Sequence, residues 1–382
     1  TQRIQKYRNS SLSIQKNNGS VHQKDSLIDI LVLQLESMPE SDSERFELEK
    51  LLEVSKRPNN LDSLFNDYTM VDATEFIVKA SKNYHFTSIN ESHFSGLNRN
   101  YVRSLLLPLW ESGYRYFAME ALSQRDSLIN SRSIPLMSSG YYFNEVNLGN
   151  LVREAKKIGY KLIAYDEFFN TENNDQNQSL REKAQAQNLY DQTLANDSIG
   201  KVLIYSGHDH QVTENMNGNR FMGGWLREIS GLDLLTIEQV IMTEKTSIDK
   251  ENDYYRYVKL NYSFDNGVVF TNLSTEEVLI DPIHHLSGIK VQVYHPPTKY
   301  IYNRPNWMLN NQNAVRLLPD SIIKKYKGKL IEFRPYNEPN NSTPIDKFII
   351  DTDKGAVIPK GEFSVRIINC DNEVIANYKV SL

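Results

Sequence analysis

A glutamate and a histidine stand two residues apart at the end of His85-Phe86-Thr87-Ser88-Ile89-Asn90-Glu91-Ser92-His93. A second histidine-bearing turn closes Lys201-Val202-Leu203-Ile204-Tyr205-Ser206-Gly207-His208-Asp209-His210. Imidazole is the natural base near neutral pH, because its unperturbed pKa is about 6.5. A neighbouring carboxylate fixes its tautomer and raises its basicity. Residues two apart in an extended segment point to the same side, so Glu91 and His93 are placed to pair. Glu120, just beyond Tyr116-Phe117-Ala118-Met119, and Arg181 complete the candidate set with His210. Such groups suit hydrolysis of an ester or amide: a base to deprotonate water, and the permanent charge of Arg181 for an oxyanion or an anionic substrate. Two histidines and one or two glutamates would equally suit a divalent metal that acidifies a bound water. The candidate ligands are then His93, His210, Glu91 and Glu120.

The elements that must position these residues read as an α/β rhythm. Strand Phe86–Ile89 leads to a helix over about Leu97–Trp110, and strand Tyr116–Ala118 follows Gly113. Helix Leu151–Ile158 ends at Gly159, strand Lys161–Tyr165 ends at Asp166-Glu167, and a helix runs from Leu180 to about Ala195. Strand Val202–Tyr205, a helix over Met222–Ile229 and strand Leu234–Ile237 continue the alternation. Strands alternating with helices predict a mostly parallel sheet covered on both faces. Functional groups in such sheets collect at the carboxyl ends of strands, where Glu91, His93, Glu120 and His210 lie, while Arg181 stands at the start of a helix. The stretch Ser123–Gly149, rich in Ser, Asn and Gly, is longer than an ordinary connection and reads as a substrate loop or lid.

The flanking regions differ. Residues 1–60 read as a flexible polar arm followed by two appended helices, and residues 61–288 as the α/β domain. Asp72 is placed to cap a helix starting at Ala73. Tyr254–Tyr262 and Val268–Asn272 alternate around Asp265-Asn266-Gly267, which predicts a β-hairpin. Residues 289–382 are strand-like and proline-punctuated, beginning with Lys290–Tyr294, and read as a small all-β, sandwich-like domain.

Bulk properties narrow the classes. The 382 residues, 40% of them hydrophobic, are enough for two or three domains of roughly 100–200 residues. A net charge of -5 implies no basic face, so nucleic acid is not an expected partner; a small molecule or peptide is. One cysteine, Cys370, excludes an internal disulfide. No apolar run is long enough for a membrane span of about 18 residues. The chain starts at Thr1 without methionine, which is compatible with removal of a leader and export to the periplasm or cell surface.

Five segments in order resemble one superfamily. Asn90-Glu91-Ser92-His93 resembles the Gly-Glu-x-His turn of the erythromycin esterases, the ChaN-like haem-binding proteins and the Tiki-type metalloproteases, with Asn90 where they have glycine. Tyr116–Ala121 resembles the esterases' second strand, which ends in a functional glutamate. Arg181-Glu182-Lys183-Ala184-Gln185-Ala186-Gln187-Asn188 resembles their Arg-Asp-x-x-Met-Ala-x-Asn helix. Ser206–His210 matches a second Gly-x-x-His element, which favours His210 over His208, and Met222–Arg227 resembles a Met-Gly-x-x-Leu segment. The resemblance covers residues 85–240. It implies an ester or amide hydrolase with His93 as base, or alternatively a haem or small-ligand binder with Tyr141 and Tyr142 as available axial groups, or a metal-dependent Tiki-like peptidase. An inactive relative whose β-domain makes the useful contact is a further alternative.

Overall fold

The structure, a computed structural model, describes residues 61–166, 175–197, 199–215, 219–282, 288–309, 313–351 and 355–381. The arm and helices expected over 1–60 lie outside the described residues.

In chain order the elements are α1 (Leu61–Phe65), β1 (Tyr68–Asp72), α2 (Ala73–Ser81), β2 (Phe86–Glu91), α3 (Gly96–Glu111), β3 (Tyr114–Met119), α4 (Val146–Ile158), β4 (Lys161–Ala164), α5 (Asp175–Gln192), β5 (Lys201–Gly207), α6 (Met222–Ser230), β6 (Leu234–Glu238), α7 (Asp253–Asn261), β7 (Val268–Asn272) and β8 (Val291–Gln292). Then follow β9 (Tyr300–Ile301), β10 (Arg304–Pro305), β11 (Ala314–Leu317), α8 (Asp320–Tyr326), β12 (Leu330–Pro335), β13 (Asp346–Ile349), β14 (Gly355–Ile358), β15 (Glu362–Ile368) and β16 (Val374–Ser381).

The centre is a six-stranded sheet in the order β4-β3-β5-β2-β6-β8, parallel throughout. Both faces are apolar because both are covered. Ile89, Phe117, Leu203 and Ile237 pack against α2, α3 and α4 through Ile77, Leu105 and Leu151. Phe86, Ile163, Ile204 and Leu234 pack on the other side against Ala186 and Leu189 of α5 and Leu226 of α6. Caps fix the helix starts: Asp72 accepts from the Glu75 amide, and Glu145 from those of Asn147 and Leu148. Gly159, with φ +118°, ends α4 in the left-handed conformation that glycine adopts without a Cβ penalty.

C-terminal to the sheet lies an antiparallel all-β region: β13-β12-β15-β16, with β11 and β14 as a separate pair. It grips the loop between β3 and α4. Leu136 bridges Ser342 and Thr343 Oγ1 donates to the Phe143 carbonyl at 2.7 Å, while Arg153, on the helix that follows the loop, holds Glu338. The β-region therefore braces the loop that carries Tyr141 and Tyr142.

Two expectations are corrected. Tyr254–Tyr262 is helical, not half of a hairpin: Asn252 caps α7 by accepting from the Tyr254 and Tyr255 amides, and Tyr255 and Val258 bury one helical face. β7 pairs instead with β1, antiparallel. Lys290–Tyr294 does not open the C-terminal region, because β8 pairs with β6 as the sixth strand of the central sheet. Asn90, where the resembled turn has glycine, lies within β2, where its carbonyl and Oδ1 accept from the side chain and backbone of Gln239.

Candidate active site

Four neighbouring strands deliver the site to one sheet edge. In sheet order β4 leads to Asp166, β3 to Glu120, β5 to the Gly207–His210 turn, and β2 to Glu91 and His93. Glu91 and Gly207 are register partners across β2 and β5, and the Glu120 amide donates to the Tyr205 carbonyl at 3.0 Å. Glu91, His93, Glu120, Arg181 and His210 thus meet in one region, as two linked clusters.

The first cluster is built on Glu91, which is 3% exposed. His93 Nδ1 lies 3.1 Å from Glu91 Oε1. Arg99 grips the same carboxylate with two nitrogens, at 2.8 and 3.1 Å, and the Tyr205 hydroxyl donates to it at 2.6 Å. Burial pushes the Glu91 carboxyl up, but the hydrogen bonds from His93, Arg99 and Tyr205 and the guanidinium charge outweigh it, so Glu91 is held ionised below the ordinary range. Arg99 also donates to the His93 carbonyl and to Glu145, the cap of α4. The guanidinium therefore locks the histidine's backbone, its carboxylate partner and a helix terminus together. Among the described residues no partner contacts His93 Nε2, and the imidazole is partly exposed.

The second cluster is a chain of charges. Arg181 holds Asp166 with two nitrogens and Glu120 with one, at 2.9 Å. Glu120 accepts from the Gly207 amide at 2.7 Å and lies 3.2 Å from His210 Nε2, while His210 Nδ1 lies 2.9 Å from Glu182. Burial opposes charge on His210, but the two carboxylates prevail and raise it to about 10. Burial likewise opposes charge on Glu120, yet His210, the Gly207 amide and Arg181 bring it down to about 2. His210 is thus a fixed imidazolium with both nitrogens committed.

This assignment carries a pH signature. His210 has a folded pKa of about 10 against 6.5 in the unfolded chain, so its stabilisation is complete below pH 6.5 and is lost as pH rises through 10. Glu120 runs the other way, complete above pH 4.5 and lost as pH falls through 2. The melting-temperature gap between wild type and His210→Gln is therefore expected to be widest between pH 4.5 and 6.5 and to close towards pH 10. Thermal melts across a buffer series check this; a gap that stays constant up to pH 10 would show His210 to be neutral in the fold.

Between the clusters the chain passes very close. A Cβ on Gly207 would overlap the His93 ring, 2.6 Å from Nε2, and would sit 3.3 Å from Glu120 Oε2. Only glycine lets the imidazole lie over β5. Tyr142 stacks on His93, with ring centroids 4.8 Å apart and planes at 16°. Burial, then Glu120 and Glu91, raises the Tyr142 phenol and keeps it protonated. Tyr141 and Phe94 stand exposed nearby in sequence, at 79% and 97%.

Sequence reasoning missed Arg99, Tyr205, Asp166 and Glu182 as parts of the site. Arg99 carried a signal: a cation in the first turn of a helix opposes the helix dipole and needs a carboxylate to hold it there. Asp166 followed a strand end, as the chosen residues did.

A divalent metal does not fit this arrangement well. His210 has no lone pair to give, and Glu91 and Glu120 already share their oxygens with arginines and amide or hydroxyl donors. Among the described residues no group of three or more His, Cys, Asp or Glu side chains is placed to hold a metal ion.

No family model and no curated protein matches the chain. Among solved structures it is similar to the type III effector HopBA1, at 11% identity and a TM-score of 0.34, over 46% of this chain and 85% of that one. It is similar to RRSP, a MARTX toxin effector domain from Vibrio vulnificus CMCP6, at 16% identity and a TM-score of 0.34, over 62% of this chain and 43% of that one. It is also similar to ChaN of Campylobacter jejuni, whose structure describes cofacial haem binding, at 9% identity and a TM-score of 0.29, over 49% and 94%. Likeness at these scores does not bear on what the chain does.

Proposed function

We infer that the chain hydrolyses an ester or amide bond, with His93 as the base that takes a proton from water. One observation carries this reading: an imidazole whose Nδ1 is tied to a buried, ionised carboxylate and whose Nε2 has no partner among the described residues. With Nδ1–H donated to Glu91, Nε2 carries the lone pair, and Glu91 stabilises the imidazolium that forms. Arg181 supplies positive charge for the developing oxyanion; its Nη1 has no partner among the described residues. The resemblance of Asn90–His93 and Arg181–Asn188 to the erythromycin esterases points the same way. His210 acts as scaffold, holding Glu120 and through it the Gly207 amide.

The test is a panel of activated esters and short peptides. Wild type is expected to turn over at least one of them, and Gly207→Ala to lower kcat/KM by roughly a hundredfold, because it must displace the imidazole by about an ångström. Turnover unaffected by Gly207→Ala would remove His93 from the reaction.

A second reading, haem binding, draws on the exposed Tyr141 phenol, whose ring centroid lies 5.0 Å from that of Tyr142, the ring stacked on His93. Tyr142 itself suits axial ligation poorly, since ligation needs a phenolate and its surroundings favour the phenol. Titration with haem, followed in the visible range, separates the readings: a saturable Soret shift without turnover of any panel substrate would replace the hydrolase with a binder.

A further inference from the structure

The turn after β5 carries two imidazoles in opposite circumstances. His210 has both ring nitrogens committed, to Glu120 and Glu182, and has neither a lone pair nor a free N–H for a substrate. His208 is exposed. Its ring stands edge-on to that of His93, with centroids 5.4 Å apart and planes at 89°. Its backbone has φ +38°, in the left-handed region that residues with a Cβ rarely adopt. That conformation is held from the strand that carries the base. The His208 amide donates to the Glu91 carbonyl at 3.1 Å, and its own carbonyl accepts from Asn90 Nδ2 at 3.4 Å. Strained backbone persists where the surroundings over-determine it, and it gathers at functional sites. Here the strain brings a second, solvent-facing imidazole beside the first. A base and an acid one substrate group apart is the arrangement that hydrolysis with a poor leaving group needs, because expulsion of an alkoxide or amide anion without a proton is slow.

We propose that His208, not His210, is the second catalytic histidine and donates the proton to the leaving group; this rests on the hydrolase reading of the same site. Water adds to the carbonyl carbon as His93 takes one of its protons, giving a tetrahedral oxyanion and a His93 imidazolium. The bond from that carbon to the leaving oxygen or nitrogen then breaks. Its electron pair stays on the leaving atom, which takes a proton from the His208 imidazolium. His93 returns its proton to solvent and His208 regains one. The sum is ester plus water to acid plus alcohol, or amide plus water to acid plus amine.

The experiment compares wild type, His208→Asn and His93→Ala on substrates sharing one acyl group, from a p-nitrophenyl ester through an ethyl ester to an amide. Asparagine tolerates the left-handed region, so the turn is preserved. His208→Asn is expected to lose about a hundredfold in kcat/KM on the ethyl ester and amide, and under about tenfold on the p-nitrophenyl ester, whose leaving group needs no proton. The plot of log kcat/KM against leaving-group pKa therefore steepens. His93→Ala is expected to lose heavily on every member. Equal loss on all substrates, or no loss on any, overturns the role of His208 and leaves the hydrolase reading standing. No turnover by wild type on any member overturns that reading and this one with it.

Discussion

His93→Ala is expected to lower kcat/KM for ester or amide hydrolysis by about 10²–10⁴-fold, the range a positioned general base supplies. Its effect on stability should be small. The imidazole is partly exposed, and among the described residues its one hydrogen bond runs to Glu91. Glu91 keeps Arg99 and Tyr205 when the ring is gone, so no buried charge is stranded. Losing that single bond costs about 1 kcal/mol. Kinetics on a turned-over ester, with circular dichroism melts alongside, check both halves. A variant as active as wild type would leave the Glu91–His93 pair without a catalytic role.

The largest loss of stability is expected from Arg99→Met. The thioether chain replaces the stem of the arginine and leaves Glu91 ionised, almost fully buried and without its counter-charge. Removing one partner of a buried ion pair costs about 3–5 kcal/mol, because the remaining charge is desolvated and unpaired. The cap of α4 suffers too, since Glu145 loses its guanidinium contact at 3.0 Å. Urea titration should show a lower midpoint with an unchanged m-value. The double variant Arg99→Met/Glu91→Gln should recover part of the loss, as no buried charge is then left. A single variant as stable as wild type would mean that Glu91 is protonated in the fold, against the ionised state its partners impose.

Much of this arrangement was legible in the sequence. Strands buried on both faces read as apolar runs broken only by small hydroxyl residues such as Thr87, Ser88 and Thr236, so Phe86–Ile89, Val202–Tyr205 and Leu234–Ile237 were recognisable without their partners, and the parallel sheet followed. Glu91 and His93 were legible as a pair because extended geometry alone brings residues two apart to one side. What could not be read depended on neighbours far along the chain. Tyr254–Tyr262 is rich in tyrosine, which favours strands, and only the Asn252 cap and the packing of Tyr255 and Val258 decide for helix. β8 is two residues long and belongs to the sheet solely through its pairing with β6. Arg99 looks like any charge on a helix until Glu91, eight residues earlier, is seen beneath it. His210 and His208 are two residues apart with the same side chain; the carboxylates that bind one and spare the other come from β3 and α5.

Chemical rescue of His93→Ala tests the claim that His93 is the base most directly. The measurement is kcat/KM for an activated ester at increasing concentrations of free imidazole. If His93 supplies the base, the variant's rate rises with imidazole at neutral pH, while wild type and His210→Gln gain nothing. A variant that never lost activity, or one whose loss is restored by an added divalent metal and not by imidazole, would contradict the account.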